Sequence, residues 1–191
     1  MTLASQYAGS VILGLNRRLN NLSNTIAAAQ WALSKMQNLY SIELGNEPNC
    51  TQTLTKIQAS TDIKAIVFTN SDPIAMNTTW TAAADRASEL YWQNSVCGNL
   101  SAASIISAGV YFGTSPMSIQ ALAATEGDAN TYVKDYCSHN YPQSGSTANL
   151  TKLMSHSEIK TQIKPFAAEA AAAKAHGKPH IFGETNSGEL F

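Results

Sequence analysis

The sequence predicts an α/β protein in which parallel strands are joined by helices. Short apolar runs alternate with amphipathic helical stretches along most of the 191 residues, and this alternation is typical of a parallel sheet with crossover helices. Two of the apolar runs end in loops that carry a carboxylate, Glu43–Asn49 and Phe182–Ser187. Catalytic groups at the C-terminal ends of parallel strands are typical of β/α barrels.

The first part of the chain predicts two strands around one helix. The run Val11–Asn16 is a strand that leads into an Ala-rich helix over roughly Thr25–Met36, and a second strand covers Tyr40–Gly45. The stretch Thr51–Asn70 includes the apolar run Ala65–Phe68, which has no place in the alternation. We leave that stretch unassigned.

A long helix is predicted in the middle of the chain, from about Trp80 to Val96. Short polar side chains satisfy the free N–H groups of a first helical turn, and the N-cap candidates are Asn77, Thr78 and Thr79. The predicted apolar stripe consists of Trp80, Ala84, Ala87 and Tyr91. We interpret the tryptophans at helical spacings as core aromatics, namely Trp31, Trp80 and Trp92.

The next part of the chain continues the alternation. A strand at Ser104–Tyr111 is followed by helical regions near Ser118–Thr125 and Asn130–Lys134, and then by a strand at Asp135–His139. The polar segment 143–149 is interpreted as a loop.

The last helix and strand have the clearest signals. Pro165 suits the first turn of a helix, Ala167–Ala175 has high helix propensity, and Gly177 with Pro179 ends the helix before the strand His180–Gly183. Five strands and four intervening helical regions make a little over half of an eightfold barrel. Because a complete β/α barrel needs roughly 250 residues, residues 1–191 are interpreted as one incomplete (β/α)8 domain.

Composition argues against several classes of partner. The formal net charge is −1, only 13% of residues are charged and no basic run occurs, so neither nucleic acid nor an anionic membrane is an expected partner. No apolar stretch reaches the ~20 residues of a membrane span, and Met1–Tyr7 lacks the basic and apolar regions of a signal peptide. We expect the natural N-terminus to lie elsewhere.

Glycosylation sequons predict a secreted protein. They begin at Asn21, Asn49, Asn77, Asn99 and Asn149. The three thiols, Cys50, Cys97 and Cys137, have no ligand-like spacing to each other or to His139, so a metal site is not expected. One disulfide and one unpaired cysteine are predicted instead.

A pair of carboxylates at strand ends is the minimum equipment for cleaving a glycosidic bond. One carboxyl group protonates the leaving oxygen and the other attacks or stabilises the anomeric carbon. Glu47 and Glu184 are the candidates, and no cofactor is needed for this chemistry.

Four segments in this order carry a family resemblance: Gly14-Leu15-Asn16, Glu43–Asn49, His139-Asn140-Tyr141 and Gly183–Ser187. Together they resemble glycoside hydrolase family 79, which holds β-glucuronidases and heparanases, and are most similar to its secreted fungal members. The Asn-Glu-Pro motif alone is shared by a whole clan of retaining hydrolases. The resemblance implies that the chain covers about strands 3 to 7 of a TIM barrel and lacks strands 1, 2 and 8 and a β-sandwich domain.

The resemblance also implies the roles of the site residues. Glu47 would be the acid/base and Glu184 the nucleophile of a retaining β-glucuronidase. Asn46 is suited to bind the sugar 2-hydroxyl, and His139 and Tyr141 either orient Glu184, line the sugar subsite or are satisfied core polar groups. Asn16 is a weaker substrate-binding candidate.

Other polar residues have structural interpretations. Glu43 is interpreted as a buried strand residue paired with a cation of the barrel core. The remaining histidines are expected at the surface or at helix ends, namely His156, His176 and His180. Glu189, just after the nucleophile segment, is a poor neighbour for a uronate carboxylate, so uronate specificity comes from the resemblance.

Two alternatives to a β-glucuronidase remain open. One is another retaining hydrolase of the clan that acts on neutral β-glycosides. The other is a truncated, inactive fragment, because an incomplete barrel exposes a parallel edge and its own interior. We expect the 191 residues alone to lack useful hydrolytic activity.

Overall fold

The computed structural model describes residues 8–17, 19–49, 81–143 and 149–187. Strands in these ranges are β1 (Val11–Leu15), β2 (Leu39–Leu44), β3 (Ile106–Phe112), β4 (Val133–Gln143) and β5 (His180–Ser187). The α-helices are α1 (Leu22–Lys35), α2 (Ala82–Cys97), α3 (Ile119–Glu126), α4 (Leu150–Leu153), α5 (His156–Ile163) and α6 (Ala167–Ala175).

The five strands form one parallel sheet in chain order, β1-β2-β3-β4-β5. The predicted alternation of parallel strands with helices is therefore confirmed in the described ranges. All five predicted strands are present, with ends that differ by a few residues. Neighbouring strands share their C-terminal edge, which places the loops after β2 and β5 at the same edge of the sheet.

Short polar side chains begin most of the helices, as N-cap chemistry predicts. The caps whose side chains accept from a backbone N–H of the first turn are Asn21, Thr81, Ser118, Asn149 and Ser155. Helix α2 thus begins after Thr81, whereas the predicted caps Asn77, Thr78 and Thr79 lie outside the described residues.

The apolar core lies between the sheet and the helices. Ile42 of β2, Ile106 of β3 and Tyr136 of β4 are fully buried and belong to one cluster with helix residues such as Trp92 and Leu122. Alternation along a strand sends every second side chain to the opposite face. On β2 this places Glu43 on the opposite face from Ile42 and Leu44.

Helix α2 is rotated relative to the predicted apolar stripe. Ala87 and Tyr91 face solvent, with Tyr91 60% exposed, while Asp85, Glu89 and Gln93 are buried. The predicted stripe was wrong because a search for apolar residues at helical spacing leaves out these three polar residues, which form the buried face. Their partners lie elsewhere in the chain and are described with the site.

The three tryptophans that were predicted to be core aromatics have different outcomes. Trp92 is buried and belongs to the core, as predicted. Trp31 is 56% exposed, so its assignment to the core was wrong; the buried face of α1 consists of Thr25, Ala29 and Ala32. Trp80 lies outside the described residues.

The second half differs from prediction in three places. The stretch expected to be helical at Asn130–Lys134 is instead a 3-10 turn, Gly127–Thr131, followed by the start of β4 at Val133. Helices α4 and α5 were not predicted, since neither has a buried residue to reveal its periodicity. A second 3-10 turn, Lys164–Phe166, carries Pro165 in its first turn and leads into α6.

The predicted disulfide is wrong. Cys97 and Cys137 are both free, buried thiols, and any pairing among the three cysteines of the chain would use one of them. Cys50 lies outside the described residues, as does the unassigned stretch Thr51–Asn70.

None of the helices in the described ranges combines the length and the apolar character needed to span a bilayer.

Candidate active site

Glu47 follows β2 at the C-terminal edge of the sheet, in an uncommon backbone conformation. Its φ is +43°, in the left-handed region that non-glycine residues rarely adopt. Its N–H donates to the carbonyl of Val110 on β3 at 3.0 Å. Val110 itself has φ +53°, which is a marked departure for a β-branched residue. The backbone that presents Glu47 is therefore strained on both sides of this hydrogen bond.

Glu184 lies on β5, where it is the register partner of His139 on β4. Its side chain is 45% exposed, and its Oε2 accepts a hydrogen bond from the Tyr141 hydroxyl at 2.5 Å. The phenol thus donates to the carboxylate, and Glu184 is oriented from the neighbouring strand.

His139 connects the two carboxylates. It is fully buried, and its Nδ1 lies 2.8 Å from Glu47 Oε1 and 3.7 Å from Glu184 Oε2. One side-chain oxygen of Glu47, one of Glu184 and a ring nitrogen of His139 all lie within 4.8 Å of one another. The structure therefore brings together four of the predicted site residues: Glu47, Glu184, His139 and Tyr141.

The short distance between the Glu47 and Glu184 carboxylates indicates that the sheet is curved. Strands β2 and β5 are separated by β3 and β4, and neighbouring strands lie about 4.8 Å apart. In a flat sheet the backbones of β2 and β5 would be roughly 14 Å apart, at three strand spacings. Side-chain oxygens of Glu47 and Glu184 within 4.8 Å of each other favour a sheet that curls like part of a barrel wall.

The two predicted asparagines have different positions. Asn46 is partly buried immediately before Glu47. The side chain of Asn16 is exposed, and its Oδ1 accepts from the Leu19 N–H at 3.3 Å within its own turn. This contact supports a structural role for Asn16 in the turn after β1.

Glu43 contacts the thiol of Cys137 and not the cation that the sequence predicted. Cys137 Sγ donates to Glu43 Oε1 at 3.4 Å, and no Lys or Arg among the described residues forms an ion pair with Glu43. The predicted cation partner was therefore wrong. Burial raises the pKa of the Glu43 carboxyl, and burial next to that carboxylate raises the pKa of the Cys137 thiol.

Gly183 of β5 lies against the side chains of Glu43, Cys137 and His139. A Cβ at this position would be 2.8 Å from Glu43 Oε1 and even closer to Cys137 Sγ, distances that real Cβ atoms do not show. It would also be 3.6 Å from His139 Nε2, a buried nitrogen without a hydrogen-bond partner among the described residues. Glycine is required here because the backbone itself fills the space beside the three side chains.

Sequence reasoning missed the cation that the structure does bury. Arg17, just after β1, is 1% exposed and forms ion pairs of 2.8 Å with Asp85 and with Glu89 of α2. Tyr111 adds a hydrogen bond to Asp85 at 2.9 Å. Burial raises the pKa of Glu89 to about 7 even though Arg17 opposes the shift. The sequence signal available for this buried cation was an arginine directly after an apolar strand.

Arg17 also packs against the start of the Glu47 loop. A Cβ on Gly45, whose φ is +96°, would be 3.3 Å from Arg17 Nε. The Gly45 N–H donates to the carbonyl of Leu15 at 3.0 Å. The ion-paired arginine and β1 therefore support the turn that precedes Glu47.

Among the residues that the structure describes, two groups of side chains have ligand atoms near enough together for a metal ion: Glu43, Cys137 and His139, and Glu47, His139 and Glu184. Local spacing in the sequence did not reveal the first group, since its members come from two strands. The raised pKa of Cys137 favours the protonated, hydrogen-bonded thiol over a metal-binding thiolate. The second group is the carboxylate pair itself.

No protein-family model and no curated protein matches the chain. Among the solved structures that do match is a crystal structure of a 4-O-α-L-rhamnosyl-β-D-glucuronidase from Fusarium oxysporum 12S in a Rha-GlcA complex. The two are 60% identical with a TM-score of 0.81, and the match covers 99% of this chain and 38% of that one. The chain thus spans less than two fifths of the matched enzyme, and the resemblance to a fungal β-glucuronidase is confirmed.

Proposed function

We propose that the chain is the catalytic part of a retaining glycoside hydrolase that acts on β-glucuronides. The observation that carries the proposal is the approach of Glu47 and Glu184, with side-chain oxygens within 4.8 Å. Retaining enzymes hold their carboxyl groups about 5 to 5.5 Å apart, whereas inverting enzymes separate them by about 6.5 to 9.5 Å to admit a water. The close approach favours double displacement.

In the first step Glu184 attacks the anomeric carbon while Glu47 protonates the glycosidic oxygen. The carbon–oxygen bond to the leaving group breaks and a glycosyl ester forms on Glu184. Tyr141, which donates to Glu184 Oε2, orients this carboxylate. His139, 2.8 Å from Glu47, holds the acid in reach of the leaving oxygen.

In the second step Glu47 acts as a base. Formation of the ester removes the negative charge of Glu184, so the environment of Glu47 changes between the two steps. Glu47 then takes a proton from water as the water attacks the anomeric carbon and releases Glu184. Asn46, adjacent to Glu47, is proposed to bind the sugar 2-hydroxyl, whose hydrogen bonds strengthen in the transition state.

The substrate class is supported by the matched enzyme, a 4-O-α-L-rhamnosyl-β-D-glucuronidase in a Rha-GlcA complex. We infer a carbohydrate substrate that bears β-linked glucuronic acid. The family resemblance further supports membership of glycoside hydrolase family 79, with β1–β5 as strands 3 to 7 of the barrel. The sequons, together with a fungal neighbour, support secretion as a glycoprotein.

Paired aryl glycosides test this proposal. Hydrolysis of 4-nitrophenyl β-glucuronide and of the matching β-xyloside and β-glucoside should be measured for the 191-residue chain. The same assay should use a graft in which the chain replaces its matched segment of the Fusarium enzyme. We expect the graft to prefer the glucuronide and to lose turnover with Glu184→Gln.

Two outcomes would contradict the proposal. A preference for the neutral aryl glycosides would favour the other retaining hydrolases of the clan. Full activity of the graft after Glu184→Gln would remove Glu184 from the mechanism. The ungrafted chain is expected to be inactive, because catalytic groups need placement within ~0.5 Å.

A further inference from the structure

Asn49 ties the Glu47 loop to β3 through both atoms of its side-chain amide. Its Oδ1 accepts from the N–H of Phe112 at 2.9 Å, and its Nδ2 donates to the carbonyl of Phe112 at 2.5 Å. The pair joins residues 63 positions apart. A side chain that satisfies the N–H and the C=O of one residue fixes both the position and the direction of the loop.

This pairing accompanies the strained backbone at Glu47. Positive φ values are unfavourable for ordinary residues and persist only where the surrounding structure determines them. Glu47 and Val110 both have such values, and they share the hydrogen bond from the Glu47 N–H to the Val110 carbonyl. Asn49 anchors the loop to Phe112, two residues beyond Val110, so it holds the strained segment from its far end.

We propose that Asn49 is a positioning residue for Glu47 and that its side chain is unglycosylated in the folded protein, although it begins the sequon Asn49-Cys50-Thr51. The first half of this proposal rests on the proposed function, in which Glu47 is the acid/base. The second half rests on the geometry of the amide alone.

The geometry of the side-chain amide explains why Asn49 is expected to carry no glycan. An N-glycan replaces one hydrogen of Nδ2, and a trans amide places the sugar on the same edge as Oδ1. That edge is the one that Asn49 presents to Phe112, because Oδ1 and Nδ2 bond the same residue. A glycan would therefore take the place of the hydrogen that Nδ2 donates to Phe112.

Two other sequons differ in this respect. Asn21 and Asn149 cap helices through Oδ1, which accepts from Asn24 and from Thr151 and Lys152 respectively. A glycan on Nδ2 leaves that oxygen in place. Glycosylation is thus compatible with the caps and incompatible with the Asn49 pairing.

Amide hydrogen exchange of the full chain tests the positioning role directly. In Asn49→Ala we expect the Glu47 N–H to exchange about tenfold faster or more, because the loop that holds it against Val110 is released. The amides of Ala108 and Tyr136 within the sheet should keep their protection. Asn99→Ala, in an exposed sequon asparagine whose Nδ2 donates to Ser95 near the end of α2, is the matched control.

Leaving-group dependence distinguishes positioning of the acid from general damage. In the active graft, Asn49→Ala should lower kcat/KM about 10- to 100-fold with a poor phenyl leaving group and much less with dinitrophenyl. In a Glu47→Gln background, Asn49→Ala should cause little further loss of kcat/KM. If Glu47→Gln itself shows no leaving-group dependence, the proposed function fails, while the exchange result still decides whether Asn49 holds the loop.

Glycopeptide mapping after production in a fungal secretory host tests the second half. We expect Asn49 to carry no glycan. Thr51→Ala removes only the sequon, so neither the glycan mass on the peptide that contains Asn49 nor kcat/KM should change. A glycan on Asn49 in folded protein would overturn the proposal. So would unchanged exchange at Glu47 in both Asn49→Ala and Asn49→Asp, the second of which keeps the acceptor and loses the donor.

Discussion

His139 Nδ1 lies 2.8 Å from Glu47 Oε1, although 92 positions separate the two residues in the chain. The same nitrogen is 3.7 Å from Glu184 Oε2. A single buried ring therefore sets the relative position of two carboxylates that come from different strands. Its strand, β4, lies between the strands of the two glutamates and Glu184 is its register partner.

Removal of the His139 ring should impair turnover more than substrate binding. His139→Ala is expected to lower kcat by roughly 10²-fold, since a misplacement of about 1 Å costs that much, and to leave KM nearly unchanged. Steady-state kinetics of the active graft measures both constants. His176→Ala at the exposed end of α6 is the control, and an equal loss in the two variants would contradict the role of His139.

The two glutamates should respond differently to amide substitution. Glu184→Gln is expected to abolish turnover with every leaving group, because no group remains to form the covalent intermediate. Glu47→Gln should retain the first step with an activated aryl glycoside, and azide should restore the second step by attacking without a base. Equal losses that azide does not restore would refute the assigned roles.

Loss of the phenol next to the nucleophile should slow the reaction moderately. Tyr141 donates to Glu184 Oε2, and a hydrogen bond to a charged group is worth about 1.5–3 kcal/mol. Tyr141→Phe is therefore expected to lower kcat/KM by about 10- to 100-fold. Tyr91→Phe, at a solvent-exposed position of α2, should have no effect; a normal rate in Tyr141→Phe would show that this hydrogen bond does not contribute.

A methyl group at Gly183 should destabilise the fold. Its Cβ would overlap Cys137 and Glu43, and overpacking of this kind costs typically 1–3 kcal/mol. The free energy of unfolding of Gly183→Ala, from denaturant titration, is the measurement. Gly14→Ala on β1, where an added Cβ meets nothing within 4 Å, is the matched control and should cost less than Gly183→Ala.

The buried carboxyl of Glu89 should make stability depend on pH. Its pKa in the folded chain is about 7, against an ordinary 4.5, so the folded state binds more protons than the unfolded state between these values. The contribution of Glu89 to stability is therefore complete below pH 4.5 and is lost as the pH rises to about 7.

Comparison of Glu89→Gln with the parent chain isolates this effect. The unfolding free energy of the variant should decrease less between pH 4.5 and pH 7. Glu158→Gln on the exposed surface of α5 controls for the loss of a surface charge. Parallel pH curves for Glu89→Gln and the parent would contradict the shift.

The sequence predicted the order and direction of the strands because apolar runs and helical stretches alternate with little ambiguity. It predicted the face of α2 wrongly, since periodicity treats Asp85 and Glu89 as solvated. Their burial depends on Arg17, which is 68 positions from Asp85. Helices α4 and α5 escaped prediction because they bury no side chain and so have no apolar stripe.

The site was predictable where the residues follow strands and unpredictable where contacts cross the sheet. Glu47 and Glu184 were expected together because parallel strands share an edge, and the structure brings them together; their catalytic roles stay predictions. Glu43 was expected beside a cation, but its neighbour across the sheet is Cys137. Local spacing also gave no indication that Asn49 pairs with Phe112.

Because Glu47 and Glu184 come from strands separated by β3 and β4, the distance between their carboxylates depends on the curvature of the sheet as well as on the His139 ring. A substitution on β3 or β4 that changes the bend by a few degrees would alter the reacting geometry without touching either glutamate. Gly109 of β3, whose φ is +94° and whose added Cβ would collide with Ile119, is one such position. Changes within the buried strands β3 and β4 are therefore expected to alter the relative position of the two carboxylates as much as changes at the edge of the sheet.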